Sequence, residues 1–248
     1  MLRTLIVIPT YNEIENLRAL VTEVMSQVHE KTHLLVVDDN SPDGTGDLAD
    51  QLSRENDRVH VMHRPRKMGL GTAYVSGFKY GLQRDFEVFV EMDCDFSHDP
   101  KYLPLFFQQV EGGADVVVGS RYVPGGGTVN WGLARRAISR GGSLYARAVL
   151  GVRLSDLTGG FNCWRRKVIE AIGMDDIKSD GYSFQIEMKY KAWLKGFKIA
   201  EMPIVFEDRC LGKSKMSKNI VIEAMGRVLL MRLQHIWPGQ LLPGRKQT

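Results

Sequence analysis

Two aspartates separated by one residue, in the run Glu91-Met92-Asp93-Cys94-Asp95-Phe96-Ser97, follow directly on a short apolar segment, Val88-Phe89-Val90. A strand that ends in carboxylates delivers them to the sheet edge, and desolvating such a pair without a counterion is costly. A hard divalent cation, Mg²⁺ or Mn²⁺, relieves that cost, because it accepts few protein carboxylates and keeps positions for diphosphate oxygens and water. By itself an Asp-x-Asp triplet occurs on many solvated loops. Its weight here comes from its position after a strand.

A second acidic cluster, Val37-Asp38-Asp39-Asn40-Ser41-Pro42-Asp43-Gly44-Thr45, follows another apolar run in the same manner. A turn with a helix cap accounts for Ser41 to Thr45. It leaves Asp38 and Asp39 at the strand end without a structural task, and a carboxylate there suits a nucleobase edge or a ribose hydroxyl. Pro9-Thr10-Tyr11-Asn12-Glu13 follows the first apolar run and offers an aromatic ring for a base and Glu13 for a polar edge. Gly69-Leu70-Gly71 lacks the lysine of a P-loop and reads as a plain turn into a helix.

The elements that must position these residues are short β-branched runs at 5–8, 34–37, 59–62, 88–90 and 116–118, alternating with helical stretches at 14–28, 45–55, 72–83 and 102–110. This alternation predicts an α/β fold, a mostly parallel sheet flanked by helices on both faces, with ligands at the carboxyl ends of the strands. The loop Pro124-Gly125-Gly126-Gly127 marks a boundary between subregions, beyond which strand alternation gives way to long amphipathic helices. Residues 219–237 keep Ile222, Met225, Leu229, Leu233 and Trp237 at helical spacing, a face that packs on the body or lies on a lipid interface. The expected organisation is one catalytic domain over residues 1–218 and a C-terminal amphipathic helix and tail over 219–248.

With 248 residues, 44% hydrophobic and 25% charged, the chain has the apolar mass for a large core, which excludes disordered and fibrous classes. The net charge of +4 is unevenly spread. No acidic residue lies between Asp115 and Asp156, where Arg121, Arg135, Arg136, Arg140, Arg147 and Arg153 fall, and after Asp208 Glu223 alone opposes eight lysines and arginines. An acidic front half followed by basic stretches suits a site that binds a cation first and phosphates second. Carboxylates in the cleft, and the lack of aromatics interleaved on a basic sheet face, speak against nucleic acid. Cys94, Cys163 and Cys210 have neither metal-finger nor redox spacing, which predicts reduced thiols and a cytoplasmic compartment. The first residues are too weakly basic for a signal peptide, and no apolar run reaches the roughly 20 residues of a spanning helix, so work at a membrane is expected to be peripheral, on the cytosolic face.

Taken together, Pro9-Thr10-Tyr11-Asn12-Glu13, Val37-Asp38-Asp39 with Ser41-Pro42-Asp43-Gly44-Thr45, Gly69-Leu70-Gly71-Thr72-Ala73-Tyr74 and Asp93-Cys94-Asp95 resemble the inverting glycosyltransferase family 2, and within it the dolichyl- or polyprenyl-phosphate mannosyltransferases. The resemblance continues in order through Gly119-Ser120-Arg121-Tyr122, Ile138-Ser139-Arg140, Asp156-Leu157-Thr158-Gly159, Phe184-Gln185-Ile186-Glu187-Met188 and Asp208-Arg209 with Ser214-Lys215. It implies a GT-A-like domain that moves mannose from GDP-mannose to a dolichyl or polyprenyl phosphate, with Mg²⁺ or Mn²⁺ as cofactor. Pro9, Tyr11, Glu13, Val37 and Asp39 would line the nucleoside pocket. Asp93, Cys94 and Asp95 would meet its phosphates and metal, joined by Arg121, Arg209 and Lys215 on the phosphates. Asp95, Arg121 and Arg209 form the implied catalytic group, and Asp93, Asp95 and Ser97 the metal ligands. Cys94 stands where the family more often has alanine, and a thiol that reached the ion would admit softer metals.

A phosphate-monoester acceptor changes what the chemistry requires. Its second ionisation lies at about pH 6, so an anionic oxygen needs positioning more than deprotonation, and the demand shifts to cations. On a helix beginning near Trp131, Arg135 and Ser139 are four apart and share a face toward one acceptor phosphate, while Arg121 approaches from the preceding strand end. Arg136 and Arg140 form the neighbouring stripe, toward lipid headgroups or solvent. Glu187 reads as a base or orienter, or as a buried hydrogen-bonding group. His98, beside Asp99-Pro100, reads as a turn residue, and Cys163 and Trp164 as core. The loop 208–217, rich in Lys, Gly and Ser, is expected to close over the diphosphate. Two other readings stand beside this one: UDP-glucose or another nucleotide sugar as donor, and a nucleotide-sugar or nucleic-acid binding module without turnover. The expected partner surface is a membrane, met by the basic helices, by the 219–237 segment, or through a small membrane-anchoring subunit.

Overall fold

A computed structural model describes residues 1–207 and 218–236. The first half of the chain alternates β1 (Thr4–Thr10), α1 (Ile14–Gln27), β2 (Thr32–Asp38), α2 (Thr45–Glu55), β3 (Val59–His63), α3 (Leu70–Leu82), β4 (Val88–Glu91), α4 (Leu103–Glu111) and β5 (Val116–Ser120). The second half supplies β6 (Gly127–Val129), α5 (Leu133–Leu150), β7 (Asn162–Arg165), α6 (Arg166–Ile172), α7 (Gly181–Leu194), β8 (Ile199–Pro203), β9 (Val205–Glu207) and α8 (Lys218–Ile236). Seven strands form one sheet in the order β3-β2-β1-β4-β7-β5-β8, and β6 pairs with β9 in a separate ribbon. Every pairing in the large sheet is parallel except those of β7, which runs antiparallel to both β4 and β5.

The unbroken apolar runs of β1 and β2 follow from helices on both faces. With a side-chain period of two, Ile6, Ile8, Leu34 and Val36 point into a core with Leu17, Leu20 and Val24 of α1 and Phe106 of α4. Leu5, Val7, Leu35 and Val37 point the other way, onto Tyr74 and Phe78 of α3 and Phe184 and Met188 of α7. A smaller cluster joins Ala146 and Leu150 of α5, Ile186 and Tyr190 of α7 and Val228 of α8. The expected division at residue 218 thus coincides with the start of α8, yet that helix packs onto the body through Val228 and Met231. Among the described residues no helix is long and apolar enough to cross a membrane.

The expected boundary at Pro124–Gly127 needs correction. The sheet does not stop there: β7 inserts between β4 and β5, and β8 extends the edge beyond β5. The four residues of β7, Asn162-Cys163-Trp164-Arg165, are too few and too polar at their ends to show an apolar run, although Cys163 and Trp164 are fully buried as expected of core.

Helix α3 lies unusually close to the sheet. A Cβ on Gly77 would stand 2.4 Å from Val7 Cγ1, and one on Gly81 2.3 Å from Phe89 Cε1, so the missing side chains let the helix backbone sit against β1 and β4. Gly77→Ala gains about 1 kcal/mol of helix propensity but overpacks the contact at a cost of roughly 1–3 kcal/mol. We expect a lower melting temperature and a lower urea midpoint for this variant, and an increase in either would show that the helix and sheet are not in such close contact.

Candidate active site

The carboxyl ends of β1, β2 and β4 open side by side on a cleft of about 530 Å³, the size of a small-molecule site. The loops at its rim are tied to one another by the acidic cluster after β2. Asp38 accepts hydrogen bonds from Thr10 Oγ1 at 3.0 Å, from Ser41 Oγ at 2.6 Å and from Ser41 N–H at 3.0 Å, which locks the end of β1 to that of β2. Asp43 accepts from Thr45 Oγ1 at 2.6 Å and Thr45 N–H at 3.0 Å, while Thr45 Oγ1 accepts from the backbone of Glu13 at 2.9 Å. Gly44 turns the chain into α2 at a φ of 91°, a left-handed conformation that favours glycine.

Asp93 and Asp95 stand two and four residues past β4. The buried Tyr74 hydroxyl donates to Asp93 Oδ1 at 3.0 Å, and Ser97 donates to Asp95 Oδ1 through Oγ at 2.6 Å and through its backbone at 3.1 Å. Burial, followed by the charge of Asp93, raises the Tyr74 phenol well above its usual range, so it remains a donor. His98 accepts the backbone N–H of Asp93 at Nδ1 (2.9 Å), stacks on Phe161 with centroids 4.8 Å apart, and is 1% exposed. Burial pushes its pKa down against the pull of Asp93, which keeps the ring neutral at pH 7. Among the described residues no group of three or more His, Cys, Asp or Glu could hold a metal ion. Two carboxylates and a hydroxyl suit a hard ion that takes the rest of its shell from phosphate and water.

Across the cleft, Arg121 at the end of β5 is clamped by Asp156. Arg121 Nε donates to Oδ2 and Nη2 to Oδ1, each at 2.7 Å, and the Arg121 backbone N–H adds a third bond at 3.1 Å. Burial alone would raise the Asp156 carboxyl, but the Arg121 charge and hydrogen bonds, with Lys189, outweigh it and hold the pKa at about 2. The Lys189 side chain is fully buried and donates to the carbonyls of Asp156 (3.3 Å), Leu157 (3.4 Å) and Gly159 (2.6 Å). Facing this loop, α5 brings Arg135 and Ser139 to the cleft wall, and the Tyr122 hydroxyl donates to Ser139 Oγ at 2.7 Å.

Residues 5–173 match the sequence profile of glycosyl transferase family 2. The chain belongs to that family. It is 49% identical over 91% of its length to the polyprenol monophosphomannose synthase of Mycolicibacterium smegmatis, covering 85% of that protein. It is 48% identical over 96% of its length to the undecaprenyl-phosphate mannosyltransferase of Micrococcus luteus, covering 97% of it. In fold it is similar to glucosyl-3-phosphoglycerate synthase from Mycobacterium tuberculosis, solved with Mn²⁺, uridine diphosphate and glucosyl-3-phosphoglycerate. The TM-score is 0.64 at 17% identity, over 94% of this chain and 79% of that one. The GT-A-like arrangement expected from the sequence is the one observed.

In this family 2 chain, Pro9, Tyr11, Glu13, Asp39, Asp93, Cys94, Asp95, Ser97, Arg121, Arg135 and Ser139 all border the one cleft. Arg209 and Lys215, with the whole loop 208–217, lie outside the described residues, as do Cys210 and Trp237. Two expectations change. Val37 has no exposed surface and packs in the core beside Val7 and Leu35, away from the cleft. Asp38 and Asp39 do have structural tasks: Asp39 pairs with the buried Arg64 and accepts the Met68 backbone N–H at 3.0 Å. His98 stands in a bend, as expected, and its buried ring braces the site. Of the roles read for Glu187, the buried hydrogen-bonding one is observed: it accepts from Ser179 N–H at 3.0 Å and Lys178 N–H at 3.3 Å, and pairs with Lys191. Cys94 is buried in the same apolar cluster as Ile8 and Met92, and burial raises its thiol well above the usual range. The expected plain turn at Gly69–Gly71 is there, with Gly71 N–H donating to Asp180 Oδ1 at 2.6 Å.

Tyr74, Asp156, Lys67 and Asp180 border or brace the cleft without having been singled out for those roles. Tyr74 and Asp156 sit inside motifs already quoted for the resemblance, whereas Lys67, whose ammonium lies 4.0 Å from the centre of the Tyr11 ring, carried no signal of spacing. The Asp156–Arg121 pair also sets an acid limit. Because the folded pKa lies below the unfolded value of about 3.9, the pair adds stability that is complete above about pH 4 and lost as pH falls through about 2. We expect Asp156→Asn to be less stable at pH 7 and to lack this acid-dependent part, about 2 kcal/mol. Urea melts across that window measure it, and parallel curves for wild type and variant would contradict it.

Proposed function

We propose that this protein transfers mannose from GDP-mannose to a polyprenyl phosphate, with inversion at the anomeric carbon, on the cytosolic face of a membrane. The observation that carries the reading is one cleft with two unlike walls: Asp93 and Asp95 past β4 on one side, and Arg121, Arg135 and Ser139 on the other. The two relatives named above support the sugar and the acceptor, and the resemblance of the strand-end motifs to the mannosyltransferases of the family supports the donor.

In this reading Asp93, Asp95 and Ser97 hold Mg²⁺ or Mn²⁺, which supplies neutralisation of the departing diphosphate. Tyr74 fixes the carboxylate of Asp93, and Ser97 that of Asp95, by the hydrogen bonds described. Tyr11 and Glu13 receive the nucleoside, with Lys67 over the Tyr11 ring. The lipid's phosphate monoester is ionised at neutral pH, so its oxygen attacks the anomeric carbon without a general base as the bond to the diphosphate breaks. Arg121 and Arg135 oppose the charge of that phosphate, and Ser139, whose oxygen already accepts from Tyr122, has its own proton to donate. Arg209 and Lys215 are assigned to the donor phosphates by the resemblance.

The route for the lipid follows from apolar surface. Ile138 of α5 and Met225 and Val228 of α8 line the cleft, and the Tyr145 hydroxyl donates to Met225 O at 3.1 Å, tying the two helices together. Leu133 and Leu144 of α5 and Leu229 and Leu233 of α8 are exposed, as are Arg136 and Arg140. Apolar side chains flanked by arginines suit a helix face lying in an anionic membrane interface.

The deciding experiment offers radiolabelled GDP-mannose and UDP-glucose in parallel to a short polyprenyl phosphate with Mn²⁺. Mannose transfer alone is expected, and transfer of glucose alone would replace the donor. Asp95→Ala should lower turnover by roughly a hundredfold or more while the fold persists. Normal turnover in that variant would remove the metal assignment. Arg135→Ala should raise the acceptor KM by roughly tenfold to a hundredfold, the loss of a charge-assisted hydrogen bond, with little change in nucleotide affinity. Equal losses for both ligands would make Arg135 a residue of the fold.

A further inference from the structure

Trp131 lies just before α5, 7% exposed, on the wall of the cleft. Its ring is the meeting point of the two arginines assigned to the acceptor: the guanidinium carbon of Arg135 stands 4.1 Å from a ring centroid and that of Arg121 5.5 Å. Phe206 meets the same indole edge-on, with centroids 5.3 Å apart and planes at 75°. Packing of this kind explains the aromatic ring, since stacked guanidiniums are held in place and kept partly desolvated. It does not explain an indole. The indole nitrogen is a donor, it is inaccessible to solvent, and among the described residues it has no hydrogen-bond partner.

An orphaned buried N–H is a defect that a phenylalanine would avoid, because such a donor gives up its bond to water and gains none in return. Here the donor sits beneath two cations that gather an anion. An oxyanion drawn between Arg121 and Arg135 would give the indole the acceptor it lacks, with the half-buried Arg135 the side chain that shifts to admit it. Two phosphate groups come near this wall, the monoester of the lipid and the diphosphate of the nucleotide. The indole packs more closely on Arg135 than on Arg121, and Arg135 shares its helix face with Ser139, which favours the first.

We infer that the Trp131 indole N–H donates a hydrogen bond to the phosphate monoester of the acceptor, completing the site formed by Arg121, Arg135 and Ser139. The inference rests on the acceptor reading given above. It adds a neutral, directional donor to two cations. Charge alone attracts any anion, whereas a fixed N–H selects one position for an oxygen and so helps to aim another of the phosphate oxygens at the sugar.

Trp131→Phe tests this, because it keeps an aromatic ring for both guanidiniums and deletes only the fused ring that carries the N–H. Binding of a short polyprenyl phosphate and of GDP with Mn²⁺ is titrated separately for wild type and variant, with the matching unphosphorylated polyprenol as a control lipid. The expected result is a roughly tenfold to hundredfold weaker acceptor affinity, and an equal rise in acceptor KM, with the GDP titration and the polyprenol control unchanged. Unchanged acceptor affinity overturns the inference. So does a loss shared equally by acceptor and GDP, which would make Trp131 a packing residue. A loss confined to GDP moves the hydrogen bond to the diphosphate and overturns it as well. Failure of the wild type itself to prefer the phosphorylated lipid overturns the acceptor reading, and is told apart because it appears before any substitution is made.

Discussion

The pairing of Arg121 with Asp156 is the contact on which the β5 side of the cleft depends. Both groups are buried, and the pair arranges this wall as well as stabilising it. What it arranges extends through the loop 156–159. Lys189 holds three carbonyls of that loop, Arg121 reaches Thr158 at 2.9 Å, and Thr158 shares a hydrogen bond with Ser143 of α5 at 3.1 Å. Two buried cations thus face Asp156 and Glu91, and burial pushes the Glu91 carboxyl up, toward its neutral form.

The opposite wall solves a different problem with the same economy of groups. Its carboxylates must stand close together, yet each must be steady enough to accept a cation without rearranging. Tyr74, Ser97 and His98 provide that steadiness, each from a buried position, and Tyr74 is itself stacked on Phe184 with centroids 5.9 Å apart. Beneath them a chain of side-chain hydrogen bonds runs from Glu91 to Asn162 at 2.7 Å and on to Gln185 at 2.8 Å, joining β4, β7 and α7 under the floor of the cleft. Groups that look catalytic in a sequence are here divided into those that face substrate and those that hold them.

Much of this was legible in the chain itself. Strand-end clusters such as Asp93-Cys94-Asp95 are conspicuous because a polar pair directly after a buried apolar run has few structural explanations, and the parallel order of β1 to β5 follows from their alternation with amphipathic helices. The failures have equally physical causes. Asp38 and Asp39 looked idle because their partners, Thr10 and Arg64, lie 28 and 25 residues away along the chain and meet them only in the fold. His98 does stand in a turn, but nothing local shows that its ring packs on Phe161. Val37 matched a motif by position, but a motif does not reveal which of its members turn inward. β7 was hidden by its shortness, and Lys67 by the absence of any periodic pattern in its loop.

The antiparallel strand β7 has a consequence for the size of the substrate. It separates β4, which ends at the carboxylates, from β5, which ends at Arg121, so the two walls stand two strand spacings apart, about 10 Å. Had β4 and β5 been neighbours, the two walls would have stood a single strand spacing apart, about 5 Å. With β7 between them they are kept as separate poles, and the gap becomes a fixed gauge; in the function proposed above, a sugar ring held between two phosphates would span it. In this fold, the spacing of the sheet is the ruler against which the reactants are measured.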